Sequence, residues 1–422
     1  MAIGTGFGGP FSHQFCLEQL GSHCALVPPI SQEEYVDRQQ RLVEVLYGLG
    51  GAAYIAEPGA NTQFFANFSK AQWPLSERPL LLMISPMIKN ASESDKVLPK
   101  ITIVTPKFES ARAKLLSIPH TSGLEVDYVE WAEEADPYAI TLGALPLFGR
   151  DGSLYVESSI RKFIPDGLSR ANSHVVVLSA PSAITSLRER KSDTEIVILK
   201  CVNEATLLAI REVYHHLYFG IRESQARSMM TTALSAAGLK DGGCLTLFGE
   251  NAALPHGRGT DKTLHRTDFA LFDCTASLHG YYSDVTRTVA LDFEWLSEEQ
   301  LSAWTIVKSV QADAFSTAKN GTRTGYVDER ARTLMRFAGG YDKYFTHRLG
   351  HGIGLEVHEE PYLRGNSDSI ILTGHTFSNE PGIYIEDQFG VRLEDCFYMA
   401  ANGSAIYLTG GVGGPARAPW AP

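Results

Sequence analysis

The stretch HRLGHGIGLEVHEEP, residues 347–361, carries three of the chain's 13 histidines within 12 residues, interleaved with glycines and followed by two glutamates. Three imidazoles so close together point to a metal or a proton-transfer site, and a metal needs ligands from elsewhere. Two acidic pairs are candidates. In LFDCTASLHGYYSDVTRTVAL, Asp273 and Asp284 lie 11 apart. Two strands joined by a tight turn at Leu278–His279 place them directly opposite each other, both carboxylates on one face. In SNEPGIYIEDQFGVRLED, Glu380 and Glu394 lie 14 apart. A hairpin centred near Asp387 makes them opposite as well, and Glu386, Asp387, Gln388 and Gly390 suit its turn.

Facing like charges are destabilising unless something neutralises them. If the pairs converge, two divalent cations would cancel four carboxylates, and a neutral imidazole would complete a mixed oxygen/nitrogen shell. His351 is the best candidate, because Gly350 and Gly352 permit close approach of backbone and metal. The alternative is that these are exposed hairpin acids that never meet.

The rest of the chain must position these groups. Its 422 residues suit two domains, with 44% hydrophobic and 20% charged residues. The net charge of −11 and the lack of a basic run exclude nucleic acid and anionic membranes as expected partners. No apolar run is long enough for a membrane span, and the N-terminus has neither a basic region nor a long apolar core of a signal peptide. The six scattered cysteines, with no CxxC, read as reduced and the protein as cytoplasmic. His13, Cys16, His23 and Cys24 could be imagined as a zinc site, but chance placement on an N-terminal arm is the plainer reading.

Residues 1–30 read as an irregular Gly/Pro/Ser-rich arm. Ser31 is a candidate N-cap for a helix through SQEEYVDRQQRLVEVLYGLG, with Glu34 three residues later. AAYIAEP, PLLLMIS, ITIVTP and SLYVES read as strands with helices between them, FESARAKLLSI among these, so residues 31–180 are expected to form an α/β domain. A Ser/Ala/Pro junction leads to a long helix, roughly Thr194 to Tyr218, and a second domain over 185–415 that mixes helices and hairpins. Residues 416–422 read as an irregular tail.

Asp273, Asp284, His351, Glu380 and Glu394, in that order, resemble the five metal ligands of the creatinase/prolidase/aminopeptidase P superfamily, the pita-bread metallopeptidases. The surrounding GYYSDVTRT, GHGIGLEVHEEP, NEPGIY and GVRLED match too, and NAALPHG puts His256 where that family has a substrate-binding histidine. LRERKSDTEIVILKCVNEATLLAI and AAYIAEPGANTQFFANFS resemble the openings of its catalytic and N-terminal domains. The first ligand departs from the usual Asp-x-Gly; Cys274 is read as pointing away from Asp273 and packing. His375 stands where an apolar residue is usual and is read as tolerated variation.

The resemblance implies an α/β (α+β) chain: a creatinase-type N-terminal domain, then a pita-bread domain with a curved antiparallel sheet flanked by helices. It implies two divalent metals, Mn²⁺ first and Zn²⁺, Co²⁺ or Fe²⁺ as alternatives, sharing Asp284 and Glu394 and holding a bridging hydroxide that attacks the bond before proline in dipeptides or short peptides. Glu380 would handle the proton, and His256 and His358 would contact the substrate and stabilise the tetrahedral intermediate. His347 would shape the pocket wall, and Arg392 would bind a substrate carboxylate or orient Tyr384. Arg287 would support Asp284. A homodimer is implied. A relative acting on a non-peptide C–N bond or specialised amide is the alternative; a non-catalytic binding homologue ranks below it.

Overall fold

The computed structural model describes residues 20–91, 94–145 and 152–422. It divides into two compact units, Ile30–Arg188 and the remainder. His13 and Cys16 lie outside the described residues.

In the first unit, α1 (Gln32–Gly48) begins where Ser31 accepts from the Glu34 backbone N–H, as the capping pattern predicts. A six-stranded sheet follows, in the order β4-β3-β2-β1-β5-β6, made of β1 (Gly51–Ala56), β2 (Leu81–Ala91), β3 (Ser94–Pro106), β4 (Asp127–Trp131), β5 (Ser153–Val156) and β6 (Val177–Ser179). β1 is buried along its whole length, with β2 antiparallel on one side and β5 parallel on the other. That explains its unbroken apolar reading. The helix expected over FESARAKLLSI is only a short turn and one α-turn, Ser110–Ala113.

In the second unit, α2 (Asp193–His215) opens with a reciprocal capping box between Ser192 and Glu195. With α3 (Glu223–Ala236), it covers a three-stranded antiparallel sheet of β7 (Lys240–Phe248), β8 (Ala270–Leu278) and β9 (Tyr281–Val289). A second core packs α4 (Glu298–Thr317) and α5 (Thr324–Phe337) against antiparallel sheets of β10 (Gly350–Gly352), β11 (Glu359–Leu363), β12 (Thr376–Asn379), β13 (Gly382–Ile385), β14 (Phe389–Arg392), β15 (Asp395–Met399) and β16 (Ala405–Tyr407). Helices on antiparallel sheets bear out the α/β reading. Among the described residues, no helix is long and apolar enough to cross a membrane.

The cysteine expectation is corrected. Cys24 pairs with Cys201 and Cys244 with Cys274, and among the described residues Cys396 is free and buried. Their sequence separations, 177 and 30, gave no local motif to read. Cys244 and Cys274 meet because they are direct cross-strand neighbours on β7 and β8. The chain's end is also tied in: Arg211 donates to the Pro422 carbonyl, and the Pro419 carbonyl accepts from Ala290.

Candidate active site

The two hairpins deliver the carboxylates differently. β13 and β14 pair as expected, Gly382 with Arg392 through Ile385 with Phe389, around Asp387 at φ 59. β12 and β15 continue the register with Asn379 opposite Asp395, so Glu380 and Glu394 flank the break between the two pairings. On β8 and β9 the turn is His279–Gly280, not Leu278–His279. Both residues have positive φ, 52 and 85, as a two-residue hairpin turn requires, and leucine is poorly suited to that region. Asp273 therefore pairs with Thr286, and Asp284 with Thr275. The slip is of two residues, so both aspartates keep the same face.

Ligand atoms of Asp273, Asp284 and Glu394 lie within 4.8 Å of one another, as do those of His351, Glu380 and Glu394, and those of Asp284, His351 and His358. Asp284, His351 and Glu394 thus each occur in two of these groups. His351 Nε2 lies 3.2 Å from Glu380 and 3.5 Å from Asp284. Its glycine neighbours serve the sheet: a Cβ at Gly350 would sit 2.1 Å from the Ser378 carbonyl oxygen, and one at Gly352 would sit 2.5 Å from that of Glu359. Small residues let β10 pass between β11 and β12 and so fix His351 in place.

Charge is unbalanced here without a cation. Burial, reinforced by Asp273 and Glu380, pushes the Asp284 carboxyl up to about 7. Burial, with Asp284 and Glu380, also pushes up Glu394. Burial alone would raise Glu380 and lower His351, but contact with His351 holds Glu380 at about 2, and contact with Asp284 and then Glu380 raises His351 to about 10. Glu394 Oε2 accepts from Thr286 at 2.7 Å, whereas its buried Oε1 has no protein hydrogen-bond partner. Four carboxylates, one imidazole and an orphaned buried oxygen suit divalent cations that accept oxygen and nitrogen ligands.

Around the cluster, Arg392 is buried and donates to Asp273 Oδ2 at 2.6 Å, to the Tyr384 hydroxyl at 2.8 Å and to the Pro255 carbonyl at 3.4 Å. Its contact with the Tyr384 hydroxyl is the one the expectation of orienting Tyr384 requires. His347 Nδ1 faces the Arg348 carbonyl at 2.7 Å and must donate to it, so Nε2 accepts from Tyr384 at 2.8 Å. Burial first lowers the His347 pKa. His358 stacks edge-on against His351 at 4.3 Å, and burial with the His351 charge lowers its pKa to about 4. His256 is exposed, one residue beyond the Pro255 carbonyl that Arg392 holds.

Arg287 is corrected. It holds the Glu394 main-chain oxygen at 2.7 Å and Asp395 at 2.8 Å, not the Asp284 carboxylate. Cys274 packs away from Asp273 as expected, though as half of a disulfide. His375 is buried, its Nδ1 accepting from Leu372 N–H at 3.2 Å. Sequence reasoning missed Thr286 and Ser378. Ser378 accepts from His351 N–H at 3.1 Å and donates to Glu380 at 3.3 Å. Their only signal was their position inside DVTRT and SNEP.

Comparison with known proteins agrees with this arrangement. The model of metallopeptidase family M24 matches residues 198–401. An uncharacterized peptidase of Schizosaccharomyces pombe is 35% identical over 385 residues, covering 90% of this chain and 82% of that protein. An Xaa-Pro dipeptidase of Pyrococcus horikoshii is 32% identical over 254 residues, covering 60% of this chain and 72% of that protein. The crystal structure of dipeptidase PepE from Mycobacterium ulcerans matches with a TM-score of 0.78 and 27% identity, over 90% of this chain and 97% of that one. The chain belongs to metallopeptidase family M24 and is a metallopeptidase of the creatinase/prolidase type.

Proposed function

We propose that this enzyme is a dinuclear metal-dependent hydrolase of the amide bond preceding proline in dipeptides or short peptides. The observation that carries the reading is the convergence of Asp273, Asp284, His351, Glu380 and Glu394, with Asp284, His351 and Glu394 each in two of the close groups. These five would hold two divalent ions, Mn²⁺ first. When bound, such ions supply Lewis acidity and a water nucleophile at neutral pH.

The remaining roles belong to the chain. Glu380, partly accessible, would take a proton and pass it toward the leaving nitrogen. His358 and His256 contact the substrate and stabilise the tetrahedral intermediate; the low pKa of His358 keeps it neutral at pH 7. His347 and Tyr384 form the pocket wall, with Arg392 fixing Tyr384. A homodimer is part of this reading. A cytoplasmic location is too.

The test is hydrolysis of Xaa-Pro dipeptides, Xaa-Pro-Xaa tripeptides and creatine by chelator-stripped protein and after adding Mn²⁺. Mn²⁺-dependent Xaa-Pro cleavage supports the proposal, and the preferred length sets the subclass. No cleavage despite two bound metals overturns it in favour of a specialised amide substrate.

A further inference from the structure

The segment from Leu20 to Pro29 belongs to the unit that contains the carboxylate cluster. It is tied to α2 at two points. Cys24 is bonded to Cys201, and His23 Nε2 lies 2.9 Å from Glu204 Oε2. Cys201 and Glu204 are three apart on α2 and so share a face. The second Glu204 oxygen accepts from Gly411 N–H at 3.0 Å, which fixes the carboxylate. A His23 ring nitrogen and the sulfurs of Cys24 and Cys201 all lie within 4.8 Å of one another. Both cysteines are buried and His23 is partly accessible.

We propose that Cys24 and Cys201, in their dithiol form, join His23 to bind one Zn²⁺ at a site separate from the carboxylate cluster. Two thiolates and an imidazole are the donors zinc favours, with water completing a tetrahedron. Because His23 Nε2 is committed to Glu204, Nδ1 faces the metal. A carboxylate on the far ring nitrogen fixes the tautomer and orientation of a ligating histidine. A thiol reductant supplies two electrons and two protons are taken up, breaking the S–S bond into two thiols; Zn²⁺ then displaces both thiol protons. Disulfide and zinc exclude each other, and either one pins this segment to α2. The four ligating and orienting residues come from two places 177 residues apart, unlike the His13, Cys16, His23 and Cys24 set that sequence proximity brings to mind.

The test is cobalt titration of the full chain, metal-stripped and treated with a phosphine reductant. The carboxylate cluster offers no sulfur, and the titration is run in a Cys244→Ala/Cys274→Ala background, which removes the other dithiol that reduction opens, so that a thiolate-to-cobalt charge-transfer band reports this site. The band is expected in reduced protein, bleached by Zn²⁺, absent from oxidised protein and lost in Cys201→Ser. His23→Ala should weaken cobalt binding at least about tenfold. Cys24→Ser serves if Cys201→Ser fails to fold. No band in the reduced protein, or a band that survives removal of either cysteine, overturns the proposal. Unchanged affinity in His23→Ala removes His23 from the site and overturns it in this form.

Discussion

Arg392 and Asp273 meet across 119 residues of sequence, guanidinium Nη2 to carboxylate Oδ2 at 2.6 Å. The same guanidinium holds the Tyr384 hydroxyl from its other nitrogen. One planar fork thus positions a candidate metal ligand and a pocket-wall residue. Lysine offers a single point charge and cannot serve both. Arg392→Lys is expected to lower metal affinity or turnover roughly 10–100-fold, the usual cost of losing an outer support of a metal ligand. Calorimetric metal titration with steady-state kinetics measures both, and wild-type values for both would remove Arg392 from this role.

Tyr384 donates to His347 and accepts from Arg392, so Tyr384→Phe leaves the His347 Nε2 lone pair without its donor. That donor favours the neutral ring. Its loss should raise the His347 pKa, which burial holds below the usual histidine range, and cost about 1–3 kcal/mol of stability. Nitrogen-15 NMR of the imidazoles reads the shift. A His347 titration identical to wild type would contradict the hydrogen-bond direction assigned here.

Without metal, the carboxylate cluster should make stability depend on pH. Asp284 is raised to about 7 from an ordinary 3.8, and His351 to about 10 from 6.5. Both bind protons more tightly folded than unfolded, so the folded chain loses relative stability as pH rises through this range. Glu380, lowered to about 2, acts in the opposite sense only in acid. His358 and His375, both lowered to about 4 from 6.5, act in the opposite sense below neutrality, so thermal melts of chelator-stripped protein should fall from about pH 7 to 9. Divalent metal should flatten that slope. A rising or flat metal-free profile would show that the acids are not buried together.

Lys191 and Glu359 form an ion pair with both side chains buried. Lys191 also donates to the Glu189 carbonyl at 3.2 Å. Glu359 opens β11 directly after His358, so the pair anchors the start of that strand beside a candidate substrate contact. Lys191→Met should cost about 3–5 kcal/mol by removing the cation that faces a buried carboxylate. Adding Glu359→Gln should restore much of that loss. Urea denaturation of the single and double variants checks the coupling, and additive losses would argue against it.

Much of the site was legible in residue order. Glu380 and Glu394 lie in one hairpin with a clear turn composition, and their register is a local property, so counting from Asp387 sufficed. The capping of α1 and α2 was legible for the same reason. Asp273 and Asp284 were placed on one face although their turn was misplaced, because a slip of two preserves strand alternation.

Other relationships needed the assembled fold. The pairing of Cys24 with Cys201 and of Cys244 with Cys274, the hold of Arg287 on Glu394 and Asp395, and the fork of Arg392 all join positions far apart in the chain. The glycines beside His351 carry the same lesson. Their need was visible in the sequence, but its cause was the backbone of Ser378 and Glu359 on neighbouring strands rather than room for a metal. Local periodicity and turn chemistry report which face a side chain occupies. What that side chain meets is decided by packing between elements, which no short window of sequence contains.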